Sequence, residues 1–265
     1  MFDFTEQVVV IAGGRSGINR GIAEAFATAG ARVAVFSRDQ SKVDATVKAL
    51  QELGAKACGF SADVRDSEAV QSGLQNIAAQ WGAFDVLVSG AAGNFPALAG
   101  DMSSNAFKSV VDIDLNGSFN VLHHAYPLLN KPGASVINIS APQAFVAMLG
   151  QSHVCAAKAG VDMLTRSLAL EWGGEGIRVN SIVPGPIENT EGMKRLATNE
   201  KMKELTRQSV PLKRLGRAQD IANACLFLSS EWATYISGVV LPVDGAWSLA
   251  GASGLNAVME TTLRS

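Results

Sequence analysis

The segment Val8-Val9-Val10-Ile11-Ala12-Gly13-Gly14-Arg15-Ser16-Gly17-Ile18-Asn19 decides the fold. Its first five residues form an uninterrupted apolar run, the pattern of a strand buried on both faces. The glycines that follow lead into a helical stretch over residues 20–29. Glycine at such a junction lets backbone amides approach a pyrophosphate at the positive end of a helix. A plain turn would need the same glycines, but strand before and helix after are the context of a nucleotide-binding loop.

The alternation continues along the chain. Residues 32–36, 84–89, 134–140 and 178–183 read as buried strands, and residues 41–53, 67–81, 105–129, 153–172 and 219–229 as helices. Gly30, Gly54, Gly82 and Gly173 fall where helices stop. This rhythm predicts an α/β protein, a Rossmann-type doubly wound parallel sheet forming a single domain over residues 1–265. With 48% hydrophobic residues the chain has ample material for a large core. The polar insertion between Pro184 and Pro211 predicts a lid over about residues 186–215. The small-residue tail over 248–265 either frays or makes an oligomer contact.

Composition removes several functions. A net charge of −2 argues against a nucleic-acid or anionic-membrane partner. Cys58, Cys155 and Cys225 are scattered without metal spacing, and His123 and His124 lack companion ligands, so no metal is expected. Residues 1–7 carry acids in place of a basic start and long apolar run, which predicts a cytoplasmic protein.

At the end of the second strand, where an NAD-binding chain usually places an acid for the ribose 2′-hydroxyl, stands Ser37-Arg38. Arg38 and Arg15 present planar cationic forks suited to a 2′-phosphate, which predicts NADP(H). The other reading of Arg38 is a solvated surface charge.

With these residues in view, the chain resembles the short-chain dehydrogenase/reductase family over nearly its whole length. The loop matches the family's Gly-x-x-x-Gly-x-Gly, with Asn19 in place of the third glycine; Asn tolerates left-handed backbone, so the loop is expected to survive. Asp63-Val64 resembles the pair that meets adenine. Ser89-Gly90-Ala91-Ala92 occupies the place of Asn-Asn-Ala-Gly, and Pro184-Gly185-Pro186 with Ile187 and Thr190 resembles the nicotinamide-amide segment. The resemblance thus implies an NADP(H) site of Gly13, Arg15, Ser16, Gly17, Ile18, Arg38, Asp63, Val64, Gly90, Ala91, Lys158, Pro184, Gly185, Ile187 and Thr190. Within the family, Ala91-Ala92-Gly93-Asn94-Phe95, Asp112-Ile113-Asp114-Leu115-Asn116-Gly117 and Pro184-Gly185-Pro186-Ile187 with Thr190-Glu191-Gly192 are most similar to the 2,4-dienoyl-CoA reductases.

The departures fit that subgroup. The family's catalytic lysine is present as Lys158, but Val154 stands where its tyrosine belongs and Ala141 where its serine falls. Losing both hydroxyls removes the usual general acid for carbonyl reduction. Conjugate reduction suffers less, because charge collects on a thioester oxygen that needs a hydrogen-bond donor. The resemblance assigns that role to Asn116, whose other reading is an asparagine bracing its helix. Gln143 lies where some members keep a second donor; alternatively it is a loop residue facing water. Lys158 and Asp162, four apart on a helix, share a face: Lys158 would hold the ribose and Asp162 a proton-delivering water, or the two form an ordinary salt bridge.

Between Met193 and Arg217, Lys194, Arg195, Lys201, Lys203, Arg207, Lys213, Arg214 and Arg217 outnumber Glu200 and Glu204, an excess suited to the phosphates of coenzyme A or merely a solvated helix. Phe95, Met148, Leu149 and Met193 either line an acyl pocket or belong to the core. The expected function is NADPH-dependent reduction of a 2,4-dienoyl-CoA to a 3-enoyl-CoA by an enzyme acting on acyl-CoA substrates. Two alternatives stand beside it: a non-catalytic NADP(H)-binding scaffold, and a ketoacyl or alcohol dehydrogenase with a substitute acid such as His153. The resemblance further implies a homotetramer built on the helices at 105–129 and 153–172.

Overall fold

The computed structural model describes residues 2–196 and 199–250. Seven parallel strands, β1 (Val8–Ala12), β2 (Arg32–Ser37), β3 (Ala57–Ser61), β4 (Val86–Ser89), β5 (Ser135–Ile139), β6 (Arg178–Pro184) and β7 (Val240–Val243), form one sheet in the order β3-β2-β1-β4-β5-β6-β7. The order reverses between β1 and β4, where Ala12 pairs with Ser89. At such a switch point the loops leaving two neighbouring strands diverge and open a crevice at their carboxyl ends.

The helices are α1 (Gly17–Thr28), α2 (Gln40–Glu52), α3 (Ser67–Trp81), α4 (Ser104–Val111), α5 (Gly117–Ala125), α6 (Ser152–Trp172), α7 (Glu191–Leu196), α8 (Glu200–Ser209) and α9 (Ala218–Ser229). Successive residues of β1 serve opposite layers, as the two-residue period of a strand requires. Val9 and Ile11 pack with Ile22 and Phe26 of α1, Leu50 of α2 and Ile221 of α9. Val8 and Val10 pack with Leu74 of α3, Leu122 of α5 and Leu168 of α6.

The expected strands and helices are present, and two edge strands are added to them. β3 reads Ala-Cys-Gly-Phe-Ser and is only half-buried, and β7 contains Pro242. Neither carries the continuous apolar run of a central strand, because an edge strand is covered less and tolerates proline. A second difference bears on chemistry. The helix expected over 105–129 is interrupted between α4 and α5 by a π-helical turn, Asp112–Asn116, and closes with a 3₁₀ turn, Tyr126–Leu128. Such widened turns recur at functional sites because they reset which side chain faces inward.

The lid segment holds α7 and α8. Its basic excess is largely spent on neighbouring acids: Lys194 pairs with Glu191, Lys203 with Glu200, Arg207 with Glu204, Arg214 with Asp220 and Arg217 with Glu188. Several of those acids flank the segment whose charge the sequence reading weighed. Of the tail expected to fray or to bridge subunits, residues 251–265 lie outside the described residues.

Candidate active site

The glycine loop lies at the switch point. Gly13 and Gly17 adopt φ of +79° and +57°, backbone that L side chains rarely enter, and a Cβ on Gly13 would lie 3.1 Å from the Ala91 backbone. Asn19 does not crowd this loop but ties it down. Its buried amide donates to the Gly90 carbonyl at 2.7 Å, joining the loop after β1 to the loop after β4. Ser16 is the N-cap of α1 and Ile18 packs on the core beneath. Thr190 sits over Gly17, its hydroxyl donating to the Ile187 carbonyl at 2.9 Å, while Ile187 is buried and Gly185 lies against Asp244. Pro184, Gly185, Thr190 and the glycine loop thus border one cleft.

At the end of β2 the Ser37 hydroxyl is buried without a hydrogen-bond partner. Arg15 lies 3.8 Å from Asp39, and Arg38 lies 4.0 Å from Asp63. Asp39 is turned away as the N-cap of α2, accepting from the Lys42 amide. Asp63 accepts from Arg65 at 2.6 Å, and that bond holds its carboxyl below the usual range. Both acids near the ribose end are therefore already occupied, and the two guanidinium groups beside them are part-exposed. Val64 packs on Gly117 of α5. A Gly-lined cradle, free amides at a helix start and these two arginines fit a dinucleotide bearing a 2′-phosphate.

Deeper in the cleft the structure rearranges the expected catalytic set. Val154 and Lys158 are buried on α6, and the Lys158 ammonium donates to the Ile139 carbonyl at 3.0 Å. Its ionic partner is Asp114, 3.5 Å away, and not Asp162. Asp114 is 0% exposed; its Oδ1 accepts from the Gly93 amide at 2.6 Å and its Oδ2 has no hydrogen bond. Burial pushes this carboxyl above its ordinary range, against the opposing pull of Lys158. Asn116, the expected oxygen-binding donor, is not brought to this pair. It is exposed and its amide donates to Asp112 at 2.9 Å. Two residues along a helix lie on nearly opposite faces, so a turn that buries Asp114 turns Asn116 outward.

Gln143 does not face water: it is buried in a 3₁₀ turn, Pro142–Ala144, and donates to Gln151 at 2.7 Å. Asp162 is buried one turn beyond Lys158 and accepts from the Ser181 hydroxyl at 2.9 Å. Phe95 lies against His153, the rings tilted with centroids 4.5 Å apart, whereas Leu149 is on the surface. The sequence reading passed over Asp114, although a signal was there. Val110, Asp114, Ser118 and Val121 recur at helical spacing and are all buried, which sets an aspartate on an apolar stripe.

Burial also raises the Asp162 carboxyl, so the folded chain binds that proton more tightly than the unfolded chain. Its contribution to stability is present below the unfolded value and is lost as pH rises through the folded one. The melting temperature of Asp162→Asn, relative to the parent, should therefore be more favourable near about pH 8 than near about pH 5. A difference independent of pH would refute the assignment.

Comparison with known proteins agrees with this geometry. A family model described as enoyl-(acyl carrier protein) reductase matches residues 12–248. A peroxisomal 2,4-dienoyl-CoA reductase (3E-enoyl-CoA-producing) of Arabidopsis thaliana is 44% identical over 90% of this chain and 83% of its own. Its namesake in Saccharomyces cerevisiae is 39% identical over 99% and 91%. The crystal structure of levodione reductase superposes with a TM-score of 0.87 at 31% identity, covering 93% of this chain and 99% of that one. Together with the parallel sheet and its switch-point cleft, these matches show that the chain belongs to the short-chain dehydrogenase/reductase family and is an oxidoreductase.

Proposed function

We propose that the chain uses NADPH to reduce a 2,4-dienoyl-CoA to a 3-enoyl-CoA. The observation that carries this reading is the exchange of groups in the cleft: the tyrosine position is a buried valine, and the ionisable groups gather instead at Asp114 and Lys158. Bound NADPH would supply the hydride, which enters the far end of the diene. Gly13, Gly17, Arg15 and Arg38 would hold its phosphates, and Thr190 with Gly185 its nicotinamide end.

The chain's own task is then to manage one charge and one proton. Conjugate addition leaves negative charge on the thioester oxygen, and a protonated carboxyl beside a fixed ammonium stabilises such an oxygen best where water is excluded. Asp114 has that setting. Gly93 anchors one oxygen, burial favours the protonated form, and the free Oδ2 points beside Lys158. Protonation of the carbon next to the thioester carbonyl completes the product, with one hydride and one proton consumed. Asp162, held by Ser181, remains the group to position a water for that step. Phe95 and Val154 give the cleft an apolar wall.

Following NADPH absorbance with a 2,4-dienoyl-CoA, a 2-enoyl-CoA and a 3-ketoacyl-CoA in parallel tests the reading. Turnover of the dienoyl thioester alone is expected. Activity confined to the ketoacyl substrate would overturn it, and NADPH binding without turnover would restore the scaffold reading.

The proposal extends to assembly. Phe107, Phe119, Met163 and Leu170 are exposed along α4, α5 and α6, a surface suited to a second copy in a homotetramer. Light scattering should give a mass near four chains, reduced in Phe119→Glu/Met163→Glu; a parent monomer would contradict it. No helix among the described residues is long and apolar enough to cross a membrane. The cytoplasmic placement read from the sequence stays part of this proposal, although the two relatives are named as peroxisomal; cell fractionation discriminates.

A further inference from the structure

The Gly93 amide that anchors Asp114 belongs to a loop that is neither helix nor strand, residues 90–98. Past Ala12 and Ser89 the ladder between β1 and β4 has ended, and the two chains diverge. The Gly90 amide still reaches the Ala12 carbonyl, at a long 3.3 Å, and the Ala97 amide donates to the Gly150 carbonyl at 2.9 Å. Between these points the position of Gly93 depends on how firmly Gly90 is held.

Asn19, 8% exposed in the first turn of α1, does the holding. Its Nδ2 donates to the Gly90 carbonyl at 2.7 Å and lies 3.4 and 3.5 Å from the carbonyls of Gly13 and Ala12. Three carbonyls from two loops converge on one donor group. The amide has a single workable orientation, because turning it over would set Oδ1 against the Gly90 oxygen. Oδ1 is buried without a hydrogen-bond partner. Stranding a buried polar atom is unfavourable, so the donor end must outweigh it.

The fit is reciprocal. In the family pattern that these loops resemble, a glycine stands at position 19 and an asparagine at position 90; this chain carries them the other way round. A Cβ on Gly90 would lie 2.4 Å from Asn19 Oδ1 and 2.5 Å from Nδ2, so the loop has no room for a side chain while the helix carries the amide. The group that spans the junction thus comes from α1.

We propose that Asn19 is a positioning residue for the reaction: by fixing Gly90 it holds the segment bearing the Gly93 amide and keeps the Asp114 carboxyl in place beside Lys158. The three residues from Gly90 to Gly93 span at most about 10 Å, too short a chain to absorb a shift at its start. One amide therefore ties the cofactor loop to the carboxyl. The use of this brace rests on the dienoyl-CoA reading; its existence does not.

Two measurements test it. Asn19→Ala removes the amide and leaves a good helix former in α1; Asn19→Gly restores the residue of the family pattern and serves if the first variant does not fold. In the full chain without substrate, amide exchange of the peptide spanning residues 90–98, read by mass spectrometry, should quicken roughly 3- to 10-fold, the worth of one hydrogen bond. The peptide spanning α2 should exchange as in the parent. Unchanged exchange at 90–98, or quickening in both peptides, overturns the brace whatever the substrate. In the dienoyl-CoA assay Asn19→Ala should lower kcat by roughly the same factor, with NADPH affinity nearly unchanged by fluorescence titration. In an Asp114→Asn background the same change should cost little, because residues that act through one another are not additive. An equal loss in both backgrounds, or no loss of kcat in the parent, overturns the proposal. If the parent turns over no dienoyl thioester while the 90–98 peptide alone loses protection, the substrate reading falls and the brace stands.

Discussion

Asp114→Asn is expected to lower kcat on the dienoyl thioester by roughly 100-fold or more, the usual worth of a positioned general acid. NADPH affinity should be retained. The amide keeps the volume of the carboxyl and can still accept from the Gly93 amide, so the fold of the π-helical turn persists. What it loses is an acidic proton beside Lys158. The pH dependence gives the sharper readout. Since burial raises Asp114, the active protonated form dominates at lower pH and is lost as pH rises through the raised value. The parent should therefore show an alkaline decline in kcat that Asp114→Asn lacks. Asn116→Ala separates this assignment from the one read in the sequence. A large loss of kcat in that variant, with Asp114→Asn itself near parental activity, would return the oxygen-binding role to the exposed asparagine.

Replacing Arg15 and Arg38 together by alanine should weaken NADPH binding about 100-fold or more while leaving NADH binding nearly unchanged. Each guanidinium that donates to a phosphate is worth about 1.5–3 kcal/mol as a charge-assisted hydrogen bond, or roughly 10- to 100-fold in affinity. Neither arginine is committed to a close pair, at 3.8 Å from Asp39 and 4.0 Å from Asp63, so both are available to an incoming anion. Raising salt should erode the NADPH preference of the parent, since both groups are part-exposed. Fluorescence titration of the two nucleotides decides the matter. Equal loss for NADPH and NADH would show that the arginines support the loop and do not read the 2′-phosphate.

The glycine loop, the central strands and the helix stops were legible because each depends on neighbours in sequence. Gly13 and Gly17 announce backbone that only glycine enters cheaply, and Val8–Ala12 announces a strand covered on both faces. The edge strands β3 and β7 were silent, since half-covered strands carry no distinctive run. Asn19 was visible as a departure, yet its effect was not, because the carbonyl it binds lies 71 positions away at Gly90.

By itself the sequence determined the doubly wound sheet, the place of the cofactor loop and the loss of the tyrosine and serine hydroxyls. Only the tertiary structure decided which ionisable side chains gather in their place. A π-helical turn rotates Asp114 inward and Asn116 outward, and Gly93 and Lys158 reach Asp114 from separate elements. Burial then sets the proton affinity of that carboxyl. Dielectric surroundings belong to the packed assembly of distant segments, and no local pattern of residues encodes them.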